Sequence, residues 1–366
     1  MRKEILAKIK ALAKNLVNQI DLYKDMFLKL PVRRLSNIIW DEELDRLRLG
    51  DKEAKRSFLD IGEVRRFTLT LLIATLANDL LKNGKTASLR EVYYNVLPLM
   101  KIEPLKGQHE SDAAIEDLET ILNVVREQMN IRASGRGYLV GPMKWIERYY
   151  VGGEVREVER DGTKQGMGGA GVPAIVEKDV FDIVEVKADF VLLIEKDATF
   201  VRLVEDEIWK KLNAILVTGM GQPPRAVRRL LHRLRYEWDL PVYVLTDCDP
   251  WGFYIFSVVK RGSINLAYLS EELAVPDAKF LGLTVEDKED FDLPDEIVIK
   301  LKEIDKKRLK ELMNYPWFKA KEWQKEFKLM LEKNIKMEIQ ALASKGIEYI
   351  SKRYLPEKIK AGVFLP

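Results

Sequence analysis

The 366-residue sequence contains a single cysteine, Cys248, and only two histidines. One cysteine cannot form an internal disulfide or a cysteine-based zinc site, so the composition excludes a disulfide-stapled secreted scaffold, a zinc ribbon and a CxxC redox motif. The sequence also lacks an apolar run near the ~20 residues that a membrane span requires. Its first residues carry charges where a signal peptide would need an apolar core. We therefore expect a cytoplasmic protein with no membrane partner.

A strong net charge is also missing, because 61 Lys and Arg residues face 58 Asp and Glu residues, which leaves +3. This balance excludes a globally basic DNA-coating protein but permits a local basic groove. The length and the 47% hydrophobic content are sufficient for two or three domains with substantial cores.

The N-terminal part, residues 1–64, begins with a pattern typical of an amphipathic helix over residues 1 to about 25. Ile5, Ile9, Leu12, Leu16 and Ile20 recur at steps of three or four, largely separated by lysines. We expect this stripe to pack on protein, either this chain or another subunit, rather than on a membrane. The charge-dense, weakly periodic segment from Arg33 to Asp60 predicts a connector.

Residues 65–150 predict three helices followed by two short strands. Gly84 closes the first helix, and Ser88 with Glu91 forms a capping box that starts the second. The third helix runs from Ser111, and the segment IRASGRGYLVG predicts a hairpin. This order is typical of a winged helix-turn-helix domain, a fold that often docks on DNA. The third helix is acidic, however, so it is a poor candidate for lying in a major groove.

Residues 151–366 change to short apolar strands that alternate with helices, which indicates an α/β domain with a buried parallel sheet. The predicted strands cover residues 190–194, 213–219, 241–246 and 264–269, and the predicted helices lie near residues 201–212, 224–237 and 250–261. We expect the charged helices from about residue 299 onward to flank the sheet or to build an interface. The fold class is therefore α/β plus mainly-α.

Three acidic residues follow predicted strands of this sheet. Glu195 comes directly after residues 190–194, and Asp247 and Asp249 follow residues 241–246. Parallel sheets bind ligands at their carboxyl edge, and three anions gathered there repel one another unless a cation neutralises them. Oxygen ligands without His or Cys favour Mg²⁺. The alternative is that the three acids only cap the following helices.

Basic residues form a second candidate site. The helix after Pro224 carries Arg225, Arg228, Arg229, His232 and Arg235 on one side, which indicates either a solvated face or a track for DNA phosphates. His232 is equally interpretable as a partly buried histidine.

Further DNA-contact candidates are the basic residues around the predicted wing, Arg132, Arg136 and Lys144.

Cys248 lies between Asp247 and Asp249 in the sequence, and its side chain is predicted to point away from theirs and to pack in the interior.

Two glycine patterns imitate nucleotide sites. Gly166, Gly168 and Gly171 satisfy GxGxxG, but a strand rather than a helix is predicted after them. Gly84-Lys85-Thr86 imitates the end of a Walker A loop without its earlier glycine. The sequence thus predicts no ATP site in this chain.

Four motifs then occur together in one order. They are SLREVYY from Ser88, IEKDATF from Ile194, TGMGQPPRAVRR from Thr218 and DCDPWG from Asp247. Over roughly residues 65–366, this set resembles the A subunits of DNA topoisomerase VI, archaeal relatives of the meiotic double-strand-break transesterases. The glutamate and the DxD pair alone would indicate only a Toprim domain.

The resemblance implies a tyrosine transesterase in which Tyr94 is the nucleophile, Arg90 lies one helical turn before it, and Glu195, Asp247 and Asp249 bind Mg²⁺. A phenol ionises near pH ~10, so its attack at neutral pH needs a base or a cation that favours the phenolate. The implied reaction is a transient double-strand break with covalent 5′-phosphotyrosyl links, followed by resealing, in an ATP-dependent type IIB topoisomerase of the isomerase class. Tyr93 and the pair Tyr149-Tyr150 are the competing tyrosines.

The resemblance also implies partners. These are double-stranded DNA, a second copy of the chain in a homodimer with shared sites, and an ATP-hydrolysing B subunit that completes an A2B2 assembly at the nucleoid. ATP would be bound by B, and the helix over residues 1–25 is a candidate surface for docking B. Two other interpretations remain, a Toprim-type nuclease or primase and a non-catalytic winged-helix scaffold for DNA binding or break initiation.

Overall fold

A computed structural model of the protein describes residues 2–23, 25–101, 104–151 and 154–366, without the side chains of Tyr23 and Tyr150. In chain order its α-helices are α1 (Arg2–Tyr23), α2 (Val64–Asn83), α3 (Leu89–Val96), α4 (Gln108–Leu122), α5 (Asp197–Glu205), α6 (Ile208–Lys211), α7 (Arg225–Trp238), α8 (Pro250–Arg261), α9 (Ser270–Leu273), α10 (Asp287–Asp290), α11 (Glu303–Asn314), α12 (Lys321–Lys333) and α13 (Leu355–Ala361).

The β-strands are β1 (Phe27–Pro31), β2 (Ile38–Asp41), β3 (Arg46–Leu49), β4 (Glu53–Ser57), β5 (Ala87–Ser88), β6 (Ile131–Arg132), β7 (Tyr138–Val140), β8 (Met143–Val151), β9 (Glu154–Asp161), β10 (Ala170–Gly171), β11 (Phe181–Val186), β12 (Phe190–Ile194), β13 (Ala214–Thr218), β14 (Val242–Leu245), β15 (Lys279–Phe280), β16 (Ile299–Lys300) and β17 (Ile335–Lys336).

The chain forms two compact units. The first unit comprises Met1–Ile39, Arg48–Ser134 and Ala267–Leu269, and the second unit comprises Trp40–Leu47, Gly135–Leu266 and Ser270–Pro366. These bounds differ from the predicted divisions at residues 64 and 150, because the N-terminal helix shares a core with the helices that follow it and β7 joins the sheet of the second unit.

The core of the first unit is helical and includes the N-terminal helix. Ile5 and Ile9 of α1 are buried in the same apolar cluster as residues of α2, α3 and α4. The prediction that the stripe packs on protein is confirmed for Ile5, Ile9 and Leu16, which pack on the chain's own first unit, and is wrong for Ile20. Farther along α1, Val17, Ile20 and Leu22 are exposed. Met1 and Lys24, at the ends of the predicted helix, lie outside the described residues.

The predicted connector is structured. β1 and β4 pair in an antiparallel ribbon, with Phe27 opposite Ser57. Just after β1, Arg33 Nη2 donates to buried Asp117 Oδ1 of α4 at 2.6 Å, and Arg66 Nε of α2 donates to Asp117 Oδ2 at 2.7 Å. The ribbon therefore fastens to the helices through a shared buried carboxylate, since a buried charge must be paired. Part of the acidity of α4 lies inside the unit.

The hairpin predicted within residues 131–141 is wrong. β6 pairs in parallel with β5, whereas β7 joins the large sheet of the second unit, antiparallel to β13. The reason is burial: Leu139 and Val140 are fully covered, which an exposed wing would not allow. Gly137, at φ 109°, lets the chain approach closely, because a Cβ there would lie 2.6 Å from the Thr218 carbonyl oxygen.

The second unit is built around a six-stranded sheet in the order β10-β7-β13-β12-β14-β15. β13, β12, β14 and β15 are parallel neighbours, and β7 and β10 add antiparallel pairs at one edge. Every residue of β12 and β13 is buried, as expected for the interior of a parallel sheet. The strands predicted at residues 190–194, 213–219 and 241–246 are confirmed, as are the helices near residues 224–237 and 250–261.

Two other predictions for this unit need correction. Residues 264–269 form a 3₁₀ helix rather than a strand, and the neighbour of β14 is instead the short strand β15. The helix predicted near residues 201–212 is two helices, α5 and α6, because Glu207 adopts the left-handed conformation at φ 51°.

The glycine-rich segment turns as predicted, since the Gly169 amide donates to the Gly166 carbonyl and the chain then enters β10 rather than a helix.

The charged C-terminal helices flank the sheet, as predicted. Phe318 and Trp323 are buried and form an aromatic cluster with Phe253 of α8 and Phe280 of β15. Within the described part of the chain, no helix combines the length and the apolarity that crossing a bilayer would require.

The N-terminal helix supplies a test of its place in the core. Ile5 is 2% exposed and Ile20 on the same helix is 47% exposed. We expect Ile5→Ala to lower the free energy of unfolding by about 2–5 kcal/mol, as cavity-forming core substitutions do, and Ile20→Ala to change it by less than about 1 kcal/mol. Chemical denaturation of the full chain measures both, and equal effects would contradict the assignment of α1 to the core.

Candidate active site

The tyrosine predicted as nucleophile lies near the end of α3, a helix whose start is fixed on both sides. The Glu91 amide donates to Ser88 Oγ at 3.2 Å and the Ser88 amide donates to Glu91 Oε2 at 2.6 Å, which is the predicted capping box. The backbone of Ser88 also pairs with Arg132 of β6. This anchoring gives the following helical turns a defined direction.

The two adjacent tyrosines of α3 differ in accessibility. Tyr93 packs against the helical core, whereas Tyr94 is 56% exposed. The guanidinium carbon of Arg90 lies 5.9 Å from the centre of the Tyr94 ring, so the arginine shares a face with that tyrosine, as its spacing of four residues predicts. A macromolecular substrate could therefore reach Tyr94 with a cation already beside it.

The competing pair lies in a different environment. Tyr149 is exposed on β8, and the side chain of Tyr150 lies outside the described residues. Ile146, four residues before Tyr150, is uncharged, and four residues of a strand span about 13 Å, so it offers no counterpart to Arg90.

The three candidate metal ligands follow neighbouring strands at one edge of the sheet. β12 and β14 are adjacent and parallel, and the ladder continues past their ends, because the Glu195 amide donates to the Leu245 carbonyl at 3.0 Å. On the other side, the Gly221 amide donates to the Glu195 carbonyl at 2.7 Å. The expectation that the carboxyl ends of these strands bring the acids together is thus met by the backbone.

Each of the three carboxylates is held through one oxygen by a backbone amide. Glu195 Oε2 accepts from the Asp247 amide at 3.1 Å, and Asp247 Oδ1 accepts from the Ile339 amide at 2.9 Å. Asp249 Oδ1 accepts from the Gly252 amide at 2.7 Å and so caps α8. The capping alternative is therefore correct for one oxygen of Asp249. Anchoring one oxygen of each acid leaves the second oxygen to meet a cation.

The three acids form a partly buried anionic group in which Asp247 is the most buried. Burial, followed by the repulsion from Asp247, raises the pKa of Glu195 to about 7. Burial also raises the pKa of Asp249, partly offset by its hydrogen bond from Gly252. Because both shifts penalise the charged form, a cation at this edge would be strongly favoured.

One cation is already present. Lys196 Nζ lies 3.0 Å from Asp247 Oδ2 and 3.7 Å from Glu338 Oε2. The sequence analysis assigned no function to Lys196. Its position directly after Glu195 was the one feature that could have suggested a role at this edge. The Ile339 amide that anchors Asp247 carried no signal, because it comes from a segment some ninety residues away in the chain.

The kinds of donor atoms that the side chains at this edge offer determine which metal ion could bind there. Across the described ranges, no three His, Cys, Asp or Glu side chains are gathered in a ready-made metal cluster. The chemistry nevertheless fits Mg²⁺, since the three side chains offer only oxygen donors and the Lys196 ammonium already stands beside one of them. The assignment of Glu195, Asp247 and Asp249 as metal ligands stays a prediction.

Cys248 lies between two of these acids and packs as predicted. It is fully buried, its sulfur lies 3.9 Å from Glu326 Oε1, and its backbone bridges that of Met337. The bridge fixes the loop that carries Asp247 and Asp249.

The predicted basic stripe of α7 does not face solvent throughout. Arg225 and Arg228 are buried, Arg229 pairs with both oxygens of Glu177 at 2.9 and 3.0 Å, and Arg235 pairs with Asp277 at 2.5 Å. The solvated-face interpretation is therefore wrong for Arg225 and Arg228. The reason is that other parts of the protein also pack on the polar side of α7. Arg233, which is fully buried, shows the same burial. DNA contact by these arginines stays a prediction.

The other basic candidates are more accessible. Arg132 and Arg136 are exposed, and the guanidinium of Arg136 donates to the Met220 carbonyl in the TGMGQPP segment. Lys144 is half-buried and bonds Glu185 at 2.8 Å. Burial and the neighbouring Arg229 lower the pKa of His232 to about 4, so it is a neutral, partly buried histidine.

Comparison with known proteins relates both the N-terminal and the C-terminal parts of the chain to one protein family. A family model for the Toprim domain of the topoisomerase 6 A subunits and Spo11 matches residues 190–359, and one described as "Type IIB DNA topoisomerase" matches residues 65–131. The first match contains the acids, and the second contains Arg90 and Tyr94.

Curated relatives agree with the family models. The chain is 43% identical to the A subunit of type 2 DNA topoisomerase 6 from Pyrococcus abyssi, over 100% of this chain and 96% of the relative. It is 39% identical to that of Saccharolobus shibatae over 94% and 92% of the two chains. It is 38% identical to that of Methanocaldococcus jannaschii over 96% and 94%.

Proposed function

The chain belongs to the family of topoisomerase VI A subunits, and on this premise we propose that it is the DNA-cleaving subunit of an ATP-dependent type IIB DNA topoisomerase. The observation that carries the proposal is the combination of an exposed Tyr94 beside Arg90 with a carboxylate edge at β12 and β14. Neither feature alone identifies the reaction, since the edge suits any Toprim enzyme and the tyrosine alone has no metal partner.

The proposed reaction is a transesterification. Tyr94 Oη attacks a backbone phosphorus, the bond from phosphorus to the 3′ oxygen breaks, and the departing 3′ oxygen gains a proton as the phenol loses one. The product is a 5′-phosphotyrosyl link that the 3′ hydroxyl can reverse. Arg90 favours the phenolate and neutralises charge that develops on the phosphate. Two such cuts, opened for strand passage and then resealed, relax supercoils and decatenate DNA.

The metal-binding residues in this proposal are Glu195, Asp247 and Asp249. When bound, Mg²⁺ supplies positive charge for a non-bridging or leaving oxygen of the phosphodiester. The chain's own contribution is to hold the three carboxylates at one sheet edge through the amides of Asp247, Ile339 and Gly252.

The proposal includes three partners. Tyr94 belongs to the first unit and the acids to the second, and we infer that the site is shared between two A subunits, since a two-fold dimer also cuts both strands of a duplex symmetrically. A separate B subunit binds and hydrolyses ATP, giving an A2B2 assembly that acts at the nucleoid. Double-stranded DNA docks on the module of α2, α3 and α4, which retains the helix order of a winged helix-turn-helix domain, with Arg132 and Arg136 as exposed basic candidates.

A covalent adduct tests the choice of nucleophile. We expect Tyr94→Phe, assayed with the B subunit, Mg²⁺, ATP and supercoiled DNA, to abolish both relaxation and the covalent protein–DNA complex, because the attacking oxygen is removed. Tyr93→Phe is the matched control and should retain the adduct. Adducts are measured by denaturing gel after nuclease digestion. An adduct that persists in Tyr94→Phe would contradict the assignment, and cutting without any adduct would indicate a Toprim-type nuclease.

Docking of the B subunit on α1 needs a finer test than deletion of residues 1–25, because Ile5 and Ile9 belong to the core. Leu22 is 73% exposed on α1, and we expect Leu22→Asp to reduce co-purification of B at least tenfold while the A dimer persists. Leu59→Asp is the control, since Leu59 is 66% exposed in the same unit but outside α1. Equal binding of B by both variants would exclude this part of α1 as the docking surface.

A further inference from the structure

Lys196 is a charged side chain at the carboxylate edge to which the proposed reaction gives no task. It follows Glu195 in the chain, and its ammonium contacts Asp247 Oδ2 at 3.0 Å. Asp247 is 3% exposed, and its other oxygen is occupied by the Ile339 amide. The oxygen that a metal ion would take is therefore the oxygen that Lys196 holds.

A second acceptor lies within reach of the same ammonium. Glu338 Oε2 is 3.7 Å from Lys196 Nζ, and its side chain is half exposed, so water shares its solvation. Lys196 thus stands between a buried carboxylate and a more exposed one. A small rotation of its flexible stem exchanges the partners without leaving the ammonium unpaired, which would otherwise be costly.

We propose that Lys196 is the resident counterion of the metal-free site and that it moves from Asp247 to Glu338 when a divalent cation binds. This inference rests on the proposed function, because it takes Asp247 as a metal ligand. Lys196 is a positioning residue in this scheme, since it acts on the site through Asp247.

The charges give the reason for such a device. Without a cation, Glu195, Asp247 and Asp249 form a partly buried anionic group, and Lys196 neutralises the most buried of the three. The same ion pair opposes metal binding, because the divalent cation must compete for Asp247 Oδ2 with an ammonium that the chain supplies at high effective concentration. Lys196 therefore preserves the site between catalytic cycles and makes the metal exchangeable.

The inference is tested by metal affinity in the absence of DNA. Mn²⁺ binding to the full-length chain is titrated by electron paramagnetic resonance for the natural protein, Lys196→Met and Lys196→Gln. We expect both variants to bind Mn²⁺ about tenfold more tightly, since the competing ammonium is gone. Lys325→Met is the matched control, because it removes one lysine from an exposed pair with Glu286 in the same unit, and it should leave the affinity unchanged.

Thermal unfolding supplies a second readout. In EDTA, Lys196→Met should unfold at a lower temperature than the natural protein, because Asp247 loses its buried partner, and Mn²⁺ should raise its unfolding temperature by more than it raises that of the natural protein. Lys196→Gln keeps a donor for Asp247 Oδ2 and remains measurable if the methionine variant does not fold. Unchanged or weaker Mn²⁺ binding by the folded variants would overturn the inference.

Asp247→Asn separates this inference from the proposed function. If the natural protein shows no Mn²⁺ binding that Asp247→Asn removes, the proposed metal site itself is wrong. If the natural protein binds Mn²⁺ through Asp247 and the Lys196 variants bind no more tightly, only the role of Lys196 fails.

Discussion

Repulsion among carboxylates at the ends of β12 and β14 is the constraint on which the second unit depends. A parallel sheet brings the ends of adjacent strands to one edge, so the pairing of β12 with β14 places Glu195 beside Asp247. Burial and the repulsion from Asp247 then raise the pKa of Glu195. The protein responds by fixing one oxygen of each acid with a backbone amide and by setting Lys196 against Asp247. The backbone thus holds the edge to which the proposed function assigns a divalent cation.

In the first unit the candidate side chain is exposed rather than buried, which is what a large substrate requires. Tyr94 is exposed, but the helix that carries it is closed by a capping box and packs through Tyr93 on the core. Deeper in the unit, buried Asp117 joins Arg33 and Arg66 from two other segments. Breaking such a buried pair costs about 3–5 kcal/mol, so the network favours one arrangement of the helices. A rigid support of this kind suits the proposed role of Tyr94, because a nucleophile must meet phosphorus repeatedly in the same geometry.

The sequence was informative wherever local chemistry and chain order sufficed. The capping box, the strands before Glu195 and Asp247, and the spacing of Arg90 from Tyr94 needed only periodicity and helix geometry. The prediction of a wing failed because burial of Leu139 and Val140 is decided by strand pairing with β13, a contact distant in sequence. The exposure of the α7 arginines was mispredicted for a similar reason. The helical period identifies the apolar face of a helix but does not show whether other segments also cover its polar face. Lys196 was adjacent to a recognised acid, yet its partner is fixed only by the fold.

The most direct test of the central claim, that Tyr94 of one protomer works with the acids of the other, is a mixing experiment. Tyr94→Phe and Glu195→Ala chains, each inactive alone, are combined and reassembled with the B subunit on supercoiled DNA. Shared sites predict that mixed dimers regain one working site and nick a single strand with a covalent link. A complete absence of nicking in every mixture, with mixed dimers verified, would contradict the account.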